Sequence, residues 1–153
     1  YRYGHWKHVM HKGNEAGTPL RAPGVWLHPK KNTLRVYMNT FKNINEFIDV
    51  ENIPINKWLN VAICIKQKVL DVYINGNVVN SKTLESLPKQ NYGDLYINSD
   101  QGFSGHMSNI RYYNYYISYP EILGNLKRGP SLAPIVNTNQ MPPYLTPNWW
   151  TNN

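Results

Sequence analysis

The chain has 153 residues, a formal net charge of +7, 13% aromatic residues and a single cysteine. Its length fits one domain with a sizeable core, one cysteine excludes an internal disulfide framework, and no apolar run approaches the roughly 18 residues that span a membrane. The basic excess is mainly lysine, which is abundant together with Asn, Ile and Tyr, the residues that A/T-rich codons encode. Because the basic residues are also scattered, we expect no nucleic-acid partner.

Alternation of apolar and polar residues with a period of two recurs along the chain and predicts an all-β domain. The alternation is clearest at 33–40, where Leu34, Val36 and Met38 point to one side and Thr33, Arg35, Tyr37 and Asn39 to the other. One face of this strand is therefore expected in the core and the other in solvent. In chain order, strands are predicted over residues 6–11, 24–28, 33–40, 46–51, 58–66, 69–74, 77–83, 94–98 and 106–116.

Two features define the middle of the chain. The apolar run 58–66 opens with Trp58 and predicts a buried strand. The dipeptide Asn75-Gly76 separates the strands 69–74 and 77–83, and both residues tolerate positive φ, which predicts a hairpin with a two-residue type I′ turn.

The chain offers one short helix and then changes character. Ser118 is a plausible N-cap, Pro120 suits the first turn, Glu121 complements the helix dipole, and Gly124 or Gly129 ends the helix. Residues 130–153 hold five prolines and show no periodicity, which predicts an extended tail without a core of its own.

The hairpin and the closing segment resemble a known family. Residues 58–63 (WLNVAI) and 70–79 (LDVYINGNVV) resemble the central hairpin of laminin-G-like domains, which belong to the concanavalin A-like lectin/glucanase superfamily. Residues 102–118 and the following Pro120-Glu121-Ile122 resemble the Gly-rich lead-in, the Arg-aromatic strand and the helix start that close this sandwich. The A/T-rich composition is similar to that of members from large DNA viruses.

The resemblance covers about residues 5–128 and implies an antiparallel jelly-roll β-sandwich over residues 1–129 with one short helix, whereas the extended tail 130–153 departs from the family pattern. On a strand over 106–116, Ile110 and Tyr112 share one face, which we expect to be the core face. The family's N-terminal strand has no clear counterpart, because Tyr1 begins the chain without a preceding turn, so we expect most of that strand to be missing.

Hydrolases of this superfamily carry three acids at alternate positions of one strand, so that their carboxyl groups lie about 5–5.5 Å apart. Here Asp49 and Glu51 share a face, but Phe47 occupies the third position and Glu46 points away. We therefore predict a non-enzymatic protein whose strand 46–51 has a wet, acidic face.

Other candidate sites are weaker. His5, His8 and His11 would share a face only on a helix, and on a strand we interpret them as surface or rim histidines. Cys64 lies inside an apolar strand and is interpreted as a small core residue. No cofactor is predicted; calcium, which many laminin-G-like domains bind at the rim, has weak candidate ligands in Asn98 and Asp100.

Aromatic residues suggest where a partner binds. Tyr112, Tyr113, Tyr115 and Tyr116 place rings on both faces of the predicted closing strand. The candidate contact residues are Tyr113, Tyr115, Tyr144, Trp149 and Trp150. We expect a structural or interaction module, a subunit of a larger assembly such as a virus particle, with other protein subunits as partners and a virion or cytoplasmic location. The alternative is a carbohydrate-binding lectin-like module at the cell surface or outside the cell.

Overall fold

The computed structural model describes residues 5–99 and 102–131. Its elements within these residues are β1 (Lys7–Gly13), β2 (Arg21–Leu27), β3 (Leu34–Met38), β4 (Glu46–Val50), β5 (Val61–Lys66), β6 (Val69–Ile74), β7 (Asn77–Thr83), β8 (Asp94–Ile97) and the helix α1 (Tyr119–Arg128). The strands form two antiparallel sheets, one of five strands in the order β4-β3-β2-β1-β8 and one of three in the order β5-β6-β7. The predicted all-β sandwich is confirmed.

The main core lies between the two sheets. On β3, Leu34, Val36 and Met38 are buried as the alternation predicted, and they pack in one cluster with Leu70 and Val72 of β6. Asn39 and Thr33 differ from the prediction, because both are buried. The side-chain amide of Asn39 donates to the carbonyls of Pro19 and Ile44, so its polar atoms are satisfied inside the protein.

A second, smaller core lies on the other side of the three-stranded sheet. Cys64 and Tyr73 face a cluster with Ile117 and Ile122, which the segment around α1 supplies. The Asn75-Gly76 turn has positive φ at both residues (50° and 81°), as a type I′ turn requires. The predicted hairpin therefore forms between β6 and β7. The described residues are arranged in three layers, a five-stranded sheet, a three-stranded sheet and a helix.

The start and the end of α1 follow the sequence signals. The Glu121 carboxylate accepts hydrogen bonds from the backbone N–H of Ser118 (2.7 Å) and from its hydroxyl (2.9 Å). This contact lowers the pKa of Glu121, chiefly through the backbone bond. Of the two predicted ends, Gly129 is correct: it caps the helix with a positive φ of 64°, whereas Gly124 lies inside the helix.

Two predictions about strands are wrong. Residues 106–116 contain no strand, and Ile110 and Tyr112 are 39% and 62% exposed instead of lying on a core face. The alternation there reflects local preference only, since no strand among residues 5–99 and 102–131 pairs with this segment. Trp58 does not open a buried strand either: it is 54% exposed and precedes β5, which begins at Val61.

The two sheets meet at β4 and β7. The side chains of Asn80 and Lys82 on β7 donate hydrogen bonds to the carbonyls of Asp49 (2.8 Å) and Phe47 (3.0 Å) on β4. Two donors of β7 thus lie along the strand that ends the five-stranded sheet.

The described part of the chain contains no helix that is long and apolar enough to cross a membrane. Of the predicted tail, only residues 130 and 131 belong to this part, so the candidate contacts Tyr144, Trp149 and Trp150 lie outside the described residues.

Candidate functional site

The outer face of the five-stranded sheet carries a row of rings that crosses every strand. Neighbouring centroids are 5.0 Å (Tyr96 to His11), 5.9 Å (His11 to Trp26), 5.3 Å (Trp26 to Tyr37) and 5.8 Å (Tyr37 to Phe47) apart. The strands contribute these rings in the order β8, β1, β2, β3 and β4, so the row runs across the sheet. We call the five residues the aromatic row.

The row is continuous across β2 because this strand has a glycine beside the tryptophan. In the register, the residue of β2 opposite His11 and Tyr37 is Gly24. The indole of Trp26, two residues further along, lies over this position: a Cβ on Gly24 would be 2.4 Å from Trp26 Cζ3. The absence of a side chain at Gly24 therefore lets Trp26 reach its neighbours in the row.

Two arginines stack on the rings. The guanidinium carbon of Arg21 lies 3.7 Å from the ring centroid of Tyr37, and that of Arg35 lies 3.8 Å from Phe47 and 4.4 Å from Trp6. Cation–π contacts of this kind hold both the cation and the ring in place. The face is thus a prearranged surface of rings and guanidinium groups.

The two arginines differ in charge compensation. Arg35 binds both oxygens of Asp49 at 2.7 Å, and this hydrogen bonding raises the pKa of its guanidinium. Arg21 forms no ion pair among residues 5–99 and 102–131; its guanidinium donates to the neutral side-chain oxygen of Asn45 at 2.8 Å. Burial, together with Tyr37 and Arg35 in opposite directions, lowers the pKa of Arg21. In the described part of the chain, no carboxylate therefore compensates the positive charge of Arg21 on this surface.

The surroundings of Asp49, Phe47 and Glu46 can be compared with the three alternating acids of the hydrolases. Asp49 is held by Arg35, and Phe47 is 38% exposed on the same face, at the position where the hydrolases carry an acid. Glu46 lies on the opposite side, buried, where it accepts hydrogen bonds from the hydroxyl of Thr40 and the backbone N–H of Glu85. Asp49 is thus a partner of an arginine rather than a free carboxylate.

The interpretation of the histidines as surface or rim residues is wrong for two of them. His8 and His11 are buried, at 4% and 2% exposure. The register slips by one residue between His8 and Met10, a bulge that places both histidines on the outer face although they are three residues apart. A simple alternation puts them on opposite faces, and the bulge has no signal in the sequence. His5 is exposed, as expected.

The two buried imidazoles hydrogen-bond each other. His8 Nε2 lies 2.7 Å from His11 Nδ1, the backbone N–H of Ser99 donates to His8 Nδ1 at 2.9 Å, and His11 Nε2 lies 2.7 Å from the carbonyl oxygen of Asn14. The pair lines a hollow of about 290 Å³ together with Glu15, Gly17 and Trp26. Desolvation, and secondly the neighbouring His11, lower the pKa of His8.

The structure does not test the calcium candidates as a set. Asn98 follows the last residue of β8 and has a positive φ of 47°, and its backbone N–H donates to the carbonyl of Val9. Asp100 lies outside the described residues. Within residues 5–99 and 102–131, no three His, Cys, Asp or Glu side chains are grouped so that they could hold a metal ion. Calcium binding stays a prediction.

The remaining predicted residues lie around α1. The hydroxyl of Tyr113 accepts a hydrogen bond from the Asn125 side chain (3.0 Å) and its ring packs against the smaller core, so Tyr113 fastens the helix. Tyr115 is 57% exposed, beside Glu121. Cys64 is a buried core residue as predicted, and desolvation, followed by the charge of Asp71, raises the pKa of its thiol to about 11.

The sequence interpretation missed the aromatic row. A signal was available: Tyr37 and Phe47 are aromatic residues at positions that the alternation assigns to solvent on two consecutive predicted strands, and adjacent exposed rings indicate an interaction surface. The role of Trp26 had no comparable signal, because its position depends on Gly24 and on the bulge in β1.

The fold defines a class of antiparallel β-sandwich, and the comparisons with known proteins name the family. Residues 2–123 match the family described as "Laminin_G_3: Concanavalin A-like lectin/glucanases superfamily". The chain belongs to this family, which confirms the fold predicted from the resemblance. No curated protein matches the chain significantly.

Among solved structures, the chain is similar to a crystal structure of an S-layer domain-containing protein (residues 221–444) from Clostridium thermocellum ATCC 27405. The TM-score is 0.38, the sequence identity is 14%, and the match covers 82% of this chain and 65% of that chain. The chain thus spans less than two thirds of the length of that structure.

Proposed function

We propose that this protein is a non-enzymatic interaction module that docks onto an acidic protein surface through the aromatic row and the two arginines on it. The observation that carries the proposal is Arg21, a half-buried guanidinium that is stacked on Tyr37 and has no carboxylate partner in the described residues. Trp, Tyr and Arg are the residues that contribute most to protein–protein binding when they are held in place. A carboxylate supplied by a partner would form the ion pair that Arg21 lacks among the described residues.

The orientation of the rings favours a protein partner over a sugar. Sugar binding by stacking requires an aromatic face that is open to solvent. His11 is only 2% exposed, and the planes of Tyr96 and Trp26 each lie within 16° of its plane, so these three rings stack on one another. The guanidinium of Arg21 lies over the rings of Trp26 and Tyr37 and covers part of their faces with a positive charge. The outer surface of the row is therefore suited to anionic groups.

The lectin alternative has one observation in its favour. Tyr92 is 86% exposed and Tyr112 is 62% exposed, so each of these rings is open to solvent outside the row. A sugar site there would be independent of Arg21. The virus particle and the virion location stay predictions, as do the tail contacts through Tyr144, Trp149 and Trp150.

Charge reversal at one position separates these functions. We expect Arg21→Glu to weaken binding of poly-L-glutamate roughly tenfold or more, because a like charge then faces the ligand, with affinities measured by calorimetry at two salt concentrations. Lys57→Glu is the matched control: it changes the net charge equally at an exposed loop position outside the row. Equal losses in both variants would contradict the proposal. Binding to neutral glycans on an array that Arg21→Glu leaves unchanged would favour the lectin.

A further inference from the structure

The hydrogen bonds around His8 and His11 have a fixed direction. The backbone N–H of Ser99 can only donate, so His8 Nδ1 carries no proton and, in a neutral ring, the proton sits on Nε2. That proton is donated to His11 Nδ1, which leaves the proton of His11 on Nε2, where it is donated to the carbonyl of Asn14. Every ring nitrogen of the pair is thus occupied, and neither ring has a lone pair left for a metal ion.

An additional proton has no place in this arrangement. If His11 Nδ1 gains it, this N–H faces the N–H on His8 Nε2; if His8 Nδ1 gains it, it faces the backbone N–H of Ser99. If the proton moves from one ring to the other, the two facing N–H groups are found at the Ser99 contact instead of the contact between the rings, or the reverse. One hydrogen bond is therefore lost whichever ring becomes charged, and two buried donors face each other.

The pair connects three parts of the fold. His8 and His11 belong to β1, Asn14 begins the loop that leads to β2, and Ser99 follows β8. The same loop is closed by hydrogen bonds from the backbone N–H of Asn14 to Leu20 and from Gly17 to Asn14. From this geometry we infer that the His8–His11 pair is a pH-sensitive clasp, which holds the Asn14 loop and the Ser99 turn to β1 when neutral and releases them when it is protonated.

Within residues 5–99 and 102–131, few other charged groups lie near the clasp. Glu15, which lines the hollow, lies on the loop itself, Tyr96 of β8 stacks on His11, and Arg21 of β2 lies 5.4 Å from the ring centroid of Trp26 on the adjoining side. On β1, the Lys12 ammonium donates to the carbonyls of Asn91 and Gly93. Asp94 pairs with Gly13 at the end of β8. None of these groups forms a described hydrogen bond with either imidazole.

The sign of the pH effect follows from the lowered pKa of His8, which desolvation causes first and His11 second. The neutral ring is the form that the fold favours. Its contribution to stability is complete above the ordinary value of 6.5 and is lost as the pH falls from there towards the lower value of the folded protein. The inference goes beyond the proposed function, and it can be tested without any ligand.

Nuclear magnetic resonance of the full chain tests the clasp directly. At about pH 7.5, ring ¹⁵N–¹H correlations should show the Nε2–H tautomer for both His8 and His11. The exchange protection of the Ser99 amide, corrected for the intrinsic pH dependence of exchange, should fall about tenfold between about pH 7.5 and pH 5, as expected when one hydrogen bond is lost. An Nδ1–H tautomer on either ring, or a protection that does not change with pH, would overturn the inference.

Two variants assign the effect to the pair. His8→Phe keeps a ring but removes the acceptor of the Ser99 amide, so this amide should be poorly protected at both pH values. His5→Gln is the control, because His5 is exposed and lies outside the pair, and it should behave like the parent protein. A pH dependence that persists in His8→Phe would refute the assignment; if His8→Phe does not fold, the tautomers of the parent protein decide.

Discussion

The indole of Trp26 reaches the other rings of the aromatic row only because Gly24, the residue of β2 opposite His11 and Tyr37, has no side chain. Gly24 has an ordinary strand conformation, so its value lies in its size and not in a special φ. Trp26 is held on its sides by His11, Tyr37 and Arg21. A small change at Gly24 must therefore displace several groups at once.

We expect Gly24→Ala to lower the free energy of unfolding by about 1–3 kcal/mol, the usual cost of an added group in a packed site. The new Cβ would start 2.4 Å from Trp26 Cζ3, and the indole has to move. Chemical denaturation measures the stability, and near-ultraviolet circular dichroism reports the ring environment. An unchanged spectrum together with unchanged stability would show that Trp26 does not lie over Gly24.

Single elements show how far the sequence predicts this structure. The alternation at 33–40 and the Asn75-Gly76 turn predict β3 and the β6–β7 hairpin well, because period, turn chemistry and register agree. The segment 106–116 has the composition of a strand and is not one, since a strand exists only with a hydrogen-bonding neighbour. The bulge at Val9 is similarly a property of two strands together, and it moves His8 to the face of His11.

The helix α1 offers a prediction that follows from local structure alone. Gly124 lies inside α1, and a Cβ there would meet nothing within 4 Å. Gly124→Ala should raise the free energy of unfolding by about 0.5–1 kcal/mol, since glycine loses more backbone freedom in a helix than alanine. Denaturation under the conditions used for Gly24→Ala gives a matched pair with opposite signs. A loss of stability would mean that Gly124 has a contact that the structure does not show.

At the scale of the whole molecule, side chains of the three-stranded sheet cover one edge of the five-stranded sheet. Along β4, the side chains of Asn80 and Lys82 donate hydrogen bonds to the carbonyls of Asp49 and Phe47, respectively. Unpaired groups on an edge strand invite pairing with another chain, and these side chains cover two of them. The aromatic row ends at this edge with Phe47, so the cover also borders the proposed docking surface. The sequence could not have shown this, because β4 and β7 are far apart along the chain.

Removal of this cover should promote self-association. We expect Lys82→Ala to raise the average mass in sedimentation equilibrium more steeply with concentration than the parent protein shows. Lys57→Ala removes the same charge elsewhere and controls for net charge; because Lys82 also lies 3.8 Å from a carboxylate oxygen of the buried Glu46, the stability of both variants is measured by chemical denaturation alongside. If both variants behave alike, net charge rather than the edge of β4 governs association.

The state of Cys64 has a practical consequence for such experiments. The thiol is buried, it is the single cysteine of the chain, and with a pKa raised to about 11 it stays protonated at neutral pH. Alkylating reagents act on thiolates at accessible positions. A cysteine introduced at an exposed site would be the one that reacts with a maleimide dye, so a fluorescent reporter can be attached beside the aromatic row without replacing Cys64.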